Sequence, residues 1–166
     1  MQAHELSQLT VSAIPMTSFG ASLCGPEVAE FRIWAPNTGR VELVVNGTEI
    51  IPMTQLAGGW FETSARCGAG TRYLYRIDGQ LDVPDPASRA QECNAHSASI
   101  VVDPNSYRWR DAGWTGRPWE ETVFYALHVG ACGGFSGVTE RLPALARLGI
   151  TAIELMPIAT FPGSRN

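Results

Sequence analysis

Between residues 30 and 102, apolar and polar positions alternate with a period of two in short runs broken by turn residues, the pattern of half-buried antiparallel strands. Phe31 and Ile33 open the series. In the next run Val41, Leu43 and Val45 face one way and Glu42 the other. Asn46-Gly47 follows, a dipeptide that tolerates the positive φ angles of a tight hairpin, and the chain returns through Ile50, Ile51 and Met53. Gly58-Gly59 turns the chain before residues 60–64, and Gly68-Ala69-Gly70 turns it before residues 71–78, where Tyr73, Tyr75 and Ile77 share a face. Four or five short strands with these turns predict an immunoglobulin-like β-sandwich, assigned to residues 18–104 after a polar tail over 1–17. Pro84, Pro86 and Pro104 surround one short apolar run, residues 100–102, so mostly irregular chain is expected to close the sandwich.

The pattern then changes class. Residues 123–129 form a nearly continuous apolar strand, a glycine-rich loop spans 130–137, and Val138, Leu142, Leu145 and Leu148 recur at helical spacing. Pro143 is expected in the first turn of that helix and Gly149 at its C-terminal cap. Residues 150–156 make a second buried strand. Strand, helix and strand predict a single βαβ unit over 122–166, of the kind that builds parallel sheets covered by helices. One such unit cannot cover its own apolar surfaces, so its uncovered edges are expected to drive self-association. Residues 105–121 form a linker whose tryptophans, Trp109, Trp114 and Trp119, are too apolar for a free tether and are expected to pack.

Composition narrows the classes. With 166 residues, 45% hydrophobic and 17% charged, the chain can bury a core without staples. A net charge of -4 with scattered basic residues lacks the electrostatic footprint of a nucleic-acid binder. No run approaches the roughly 20 apolar residues of a membrane span, and the first residues lack both the charged start and the apolar middle of a secretory signal. A cytoplasmic protein is expected, with no cofactor. Cys24, Cys67, Cys93 and Cys132 are widely spaced, with no zinc-type pairing, and are read as reduced thiols with no metal.

Several stretches carry a family resemblance: SFGASLCGPEVAEFRIWAPNTGRVELVV, GTRYLYRIDGQLDVPDPASR, YRWRDAGW, and VFYALHVG followed by LARLGITAIELMPIATFPGSRN. Over residues 18–166 the chain resembles the N-terminal part of maltooligosyltrehalose trehalohydrolases and, more distantly, of glycogen branching and debranching enzymes. The resemblance implies a starch-binding-like accessory sandwich fused to an α-amylase-type (β/α)₈ barrel, hence a mainly β chain ending in one βαβ unit of an incomplete barrel. The implied chemistry is retaining hydrolysis of α-glucosidic bonds by a nucleophile and an acid about 5 to 5.5 Å apart. In the family these groups follow barrel strands four and five, beyond the second strand reached here, in a barrel of about 250 residues. No catalytic residue is therefore assigned, and the chain alone is expected to be inactive. Ala126 stands where relatives usually carry a glutamate, Ala131-Cys132 where they carry threonine-phenylalanine, and Ala95-His96-Ser97-Ala98-Ser99 where they carry valine-histidine-glycine-proline-serine.

Each candidate side chain has a plainer reading. The implied partner is an α-glucan or maltooligosaccharide, and Trp60, after the double-glycine turn, is the glycan-contact candidate; burial otherwise accounts for Trp34 and Trp60. His128 and Cys132 are close enough to suggest a thiol and its base, but no oxyanion donor or third member is identifiable, and His128 reads as a strand residue facing a barrel interior. Residues 130–137 match neither the dinucleotide nor the phosphate-loop spacing. Asp82, Asp85 and Asp103 suggest paired carboxylates, but Asp85 and Asp103 precede prolines, where turn chemistry accounts for them, whereas Glu154, within a buried strand, requires a partner. The alternative to a hydrolase section is a non-catalytic α-glucan-binding or purely structural sandwich.

Overall fold

The computed structural model describes residues 19–159. The expected tail over 1–17 and the loop Phe161-Pro162-Gly163 lie outside these described residues. The chain forms two compact units, one reaching to Pro104 and one starting at Asn105.

The first unit is the expected sandwich. One sheet has the order β1 (Gly20–Gly25), β2 (Val28–Trp34), β6 (Trp60–Ala65), β5 (Thr54–Gln55), all antiparallel. The other has the order β4 (Glu49–Pro52), β3 (Val41–Val45), β7 (Arg72–Ile77), β8 (Leu81–Val83), with β9 (Ser99–Ile100) also pairing with β7. Period-two alternation puts Phe31, Ile33 and Phe61 from the first sheet against Val41, Leu43, Val45, Tyr73 and Tyr75 from the second, and these side chains are the core. Phe31 and Tyr73 meet edge to face with ring centroids 4.9 Å apart.

Turn chemistry sets the registers. Asn46 and Gly47 adopt φ of 50° and 76° between β3 and β4. A second such pair, Asp78 (φ 48°) and Gly79 (φ 72°), joins β7 to β8. Asp78 accepts hydrogen bonds from the Thr38 hydroxyl (2.6 Å) and from the Gly39 and Arg40 amides (both 3.1 Å), which holds its carboxyl below the usual range. The proline content of residues 83–104 does not predict the β8 hairpin, and β1 lies ahead of the alternation that begins at residue 30.

The second unit contains β10 (Phe124–Leu127), α1 (Gly134–Arg147) and β11 (Ala152–Leu155), with β10 and β11 parallel and Phe124 in register with Ala152. This is the expected βαβ order. The helix takes in the end of the glycine-rich run, so Pro143 lies in its interior and not in its first turn. There it removes one donor from the helical ladder. The early start depends on glycine: a Cβ on Gly137 would stand 1.9 Å from the Cys132 carbonyl oxygen. At the other end Gly149 (φ 93°) donates to Ala146 O and Ile150 to Leu145 O, both at 3.1 Å, the paired bonds of a Schellman cap. Of the strand and helix residues, Leu127, Gly137 and Val138 are buried. The expectation of buried strands is corrected: Phe124, Tyr125, Ala126 and Glu154 are exposed, because one helix beside a two-stranded pair covers too little of it.

Candidate functional site

In β2, Phe31 and Ile33 point into the core, so Arg32 and Trp34 must point out. In β6, Phe61 points in and Trp60 and Glu62 point out. The register pairs Trp34 directly with Trp60. The two indoles are thus cross-strand neighbours on the outer face of the four-stranded sheet. The expectation that burial accounts for Trp34 is corrected, since the side chain is 58% exposed. The signal was present in the sequence: once Phe31 and Ile33 are inward, the next residue faces solvent.

Each ring is held. Trp34 Nε1 donates to Gly58 O at 2.9 Å. Gly58 and Gly59 have φ of 76° and 82°, and a Cβ on Gly59 would stand 2.5 Å from Pro36 Cα, so the turn that supplies this carbonyl requires glycine. Trp60 is half-buried, with the Arg32 guanidinium 4.8 Å above its ring centroid. One indole face of Trp60 is therefore already covered, while Trp34 presents the more open ring. Phe19, also exposed, and Pro86 border the pair, and together these residues line a concavity of about 360 Å³.

Beneath this patch lies Asp85. Its carboxylate accepts from Tyr73 OH (2.7 Å), Tyr75 OH (3.3 Å) and Ala87 N (2.7 Å), and its own amide donates to Ser99 Oγ (2.9 Å). Burial pushes the Asp85 carboxyl above the usual range, against the pull of these donors. Burial, then the Asp85 charge, likewise raises both tyrosines. Asp85 is a pin that fastens the 84–87 segment to β7, so the proline-rich chain is held at the border of the aromatic pair. Asp82 forks onto Arg76 (2.7 and 2.8 Å) on β7, and that guanidinium lowers its carboxyl.

Other candidates separate from this surface. His128 lies just past β10, where its Nδ1 accepts from Ala131 N at 3.0 Å, which makes it the acceptor that closes the following turn. Cys132 is half-buried, and its carbonyl accepts from Arg141. The four cysteines are free thiols. In the second unit Trp109, Trp114 and Trp119 are exposed, and the packing seen there is local: Trp109 meets the Tyr107 ring edge to face at 5.0 Å and Trp119 keeps a tilted contact with Phe124 at 5.6 Å. Among the described residues no helix is long and apolar enough to cross a membrane.

Comparison with known proteins gives this surface a context. Residues 18–106 match carbohydrate-binding module 48 (isoamylase N-terminal domain). The chain is 41% identical over 156 residues to a malto-oligosyltrehalose trehalohydrolase of Deinococcus radiodurans, an alignment covering 92% of this chain and 26% of that enzyme. It is also similar to the crystal structure of a putative α-amylase from Salmonella typhimurium, with a TM-score of 0.83, 41% identity, and coverage of 89% of this chain and 26% of that one. A pullulanase from Paenibacillus barengoltzii, solved with maltohexaose and α-cyclodextrin, shares the fold at a TM-score of 0.72 and 24% identity, over 84% of this chain and 27% of its own. The chain spans about a quarter of the length of the curated relatives it matches.

Proposed function

The chain belongs to the carbohydrate-binding module 48 family, and from that premise we propose that its sandwich holds α-glucan for a glycoside hydrolase of the trehalohydrolase kind. The observation that carries the reading is the Trp34–Trp60 pair. Two indoles set side by side on a rigid sheet, one of them open to solvent, offer the flat apolar surface on which the C–H face of a sugar ring stacks. Trp34 supplies the principal contact, because Arg32 already occupies one face of Trp60, which borders the bound sugar.

Catalysis is assigned to a part of the hydrolase other than these residues. Asp78, Asp82 and Asp85 are each engaged by neighbouring donors in the sandwich, and Glu154 is exposed on β11. Incubated with maltooligosyltrehalose or starch, the chain is expected to release neither trehalose nor glucose, and release by a rigorously purified sample would contradict the assignment.

Affinity electrophoresis tests the binding. The chain is expected to be retarded in gels containing amylose or glycogen, and Trp34→Ala to migrate as in a gel without glucan. The substitution removes an exposed side chain, so the far-ultraviolet circular dichroism should not change. Retardation of Trp34→Ala equal to that of the parent chain would remove the indole pair from the site.

A further inference from the structure

The aromatic pair is one of three lateral rows on the same sheet face. Two residues further along each strand, the register aligns Gly20, Arg32, Glu62 and Thr54 across β1, β2, β6 and β5. Two residues beyond that it aligns Ser22, Glu30 and Ser64. Rows two residues apart are separated by about 7 Å along the strands. The second and third rows line a concavity of about 470 Å³. Arg32 borders both this groove and the aromatic concavity. Its guanidinium rests on Trp60, and its buried Nε has no hydrogen-bond partner among the described residues.

We infer that this polar groove is a second half of the glucan site, in which Arg32 and Glu62 receive the hydroxyl edge of the sugar unit next to the one stacked on Trp34. The inference rests on the α-glucan reading and extends it from one aromatic contact to a track crossing three rows. Its chemistry excludes other ligand classes. Glu30 and Glu62 repel an anion, and a wholly apolar ligand would strip water from two carboxylates without pairing them. A polyol both donates and accepts: its hydroxyls donate to Glu62 and accept from Arg32, while Ser64 and Thr54 can do either. Charge-assisted bonds of this kind are stronger than neutral ones. Arg32 lines both concavities, so its guanidinium stands where a ligand crossing from one to the other passes.

Calorimetric titration of the whole chain with glucose and with maltohexaose separates the two halves of the track. The parent chain should bind the longer sugar at least tenfold more tightly, since a single glucose unit cannot span both halves. Glu62→Ala should lose most of this length dependence while still binding glucose, and Arg32→Leu should behave similarly. Glu62→Gln, which preserves side-chain shape, provides the same readout if the alanine variant folds poorly. An undiminished gain with length in the Glu62 variants would overturn the groove assignment and leave the Trp34 site standing. Failure of the parent chain to bind either sugar would overturn the α-glucan reading and the groove with it.

Discussion

Asp85 shows how one side chain couples the interior to the surface. Removing its carboxylate leaves two buried tyrosine hydroxyls and the Ala87 amide without their acceptor. Asp85→Ala is expected to destabilise the sandwich by about 1–3 kcal/mol, seen as a lower urea midpoint at unchanged slope. The pH dependence follows from the upward shifts. Asp85 binds its proton more tightly folded than unfolded, so its contribution is complete below the unfolded value of about 3.9 and is lost as pH rises through the raised folded value. Tyr73 and Tyr75 act in the same sense at the alkaline end: unfolded tyrosine ionises near about pH 10 while the buried pair stays neutral, so stability should fall from there upward. Urea midpoints measured between pH 8 and pH 11 check the slope; a midpoint constant across that range would contradict the burial of the pair. At this scale the core was legible because alternation fixes phase: Val41, Leu43, Val45, Tyr73 and Tyr75 all lie inward. The same phase put Trp34 outside, but an aromatic side chain weighs toward burial when hydrophobicity is considered without direction.

Among the elements, turn dipeptides were more informative than strand composition. Asn46-Gly47 revealed the β3–β4 hairpin, and Asp78-Gly79 carries the same signal for β7–β8, although the prolines after residue 83 drew the chain toward an irregular reading. The helix boundary was obscured because glycine normally weakens helices, and here close approach of the Cys132 carbonyl requires Gly137 inside α1. Pro143 in the helix interior leaves α1 short of one bond. Pro143→Ala should restore a donor toward Thr139 and slow amide exchange across the C-terminal half of α1. Unchanged exchange would mean that the ladder is not limited by that proline. By the same measure β10 and β11, a largely exposed pair, should exchange faster than β3 and β7, which form the centre of the second sheet. Equal protection would contradict the sparse burial of the βαβ unit.

For the whole molecule, the change from period-two to helical spacing marks where an all-β stretch gives way to strand, helix and strand. The proposed glucan face is less legible, because it depends on which residues of separate strands come into register. Trp34 and Trp60 are 26 positions apart in the chain, yet they are direct neighbours across β2 and β6. Exposed Phe124, Tyr125, Phe135 and Leu148 give the second unit an apolar surface that should promote self-association, visible as a concentration-dependent rise in sedimentation coefficient. A coefficient constant over a hundredfold dilution would contradict this. The central claim concerns the other unit, and backbone and indole nuclear magnetic resonance during titration with maltohexaose tests it most directly. The account predicts that the largest shifts fall on the Trp34 indole N–H and on the amides of β2 and β6, with little change in β4 and β8. Saturable shifts confined to β4 and β8, or none in β2 and β6, would contradict it.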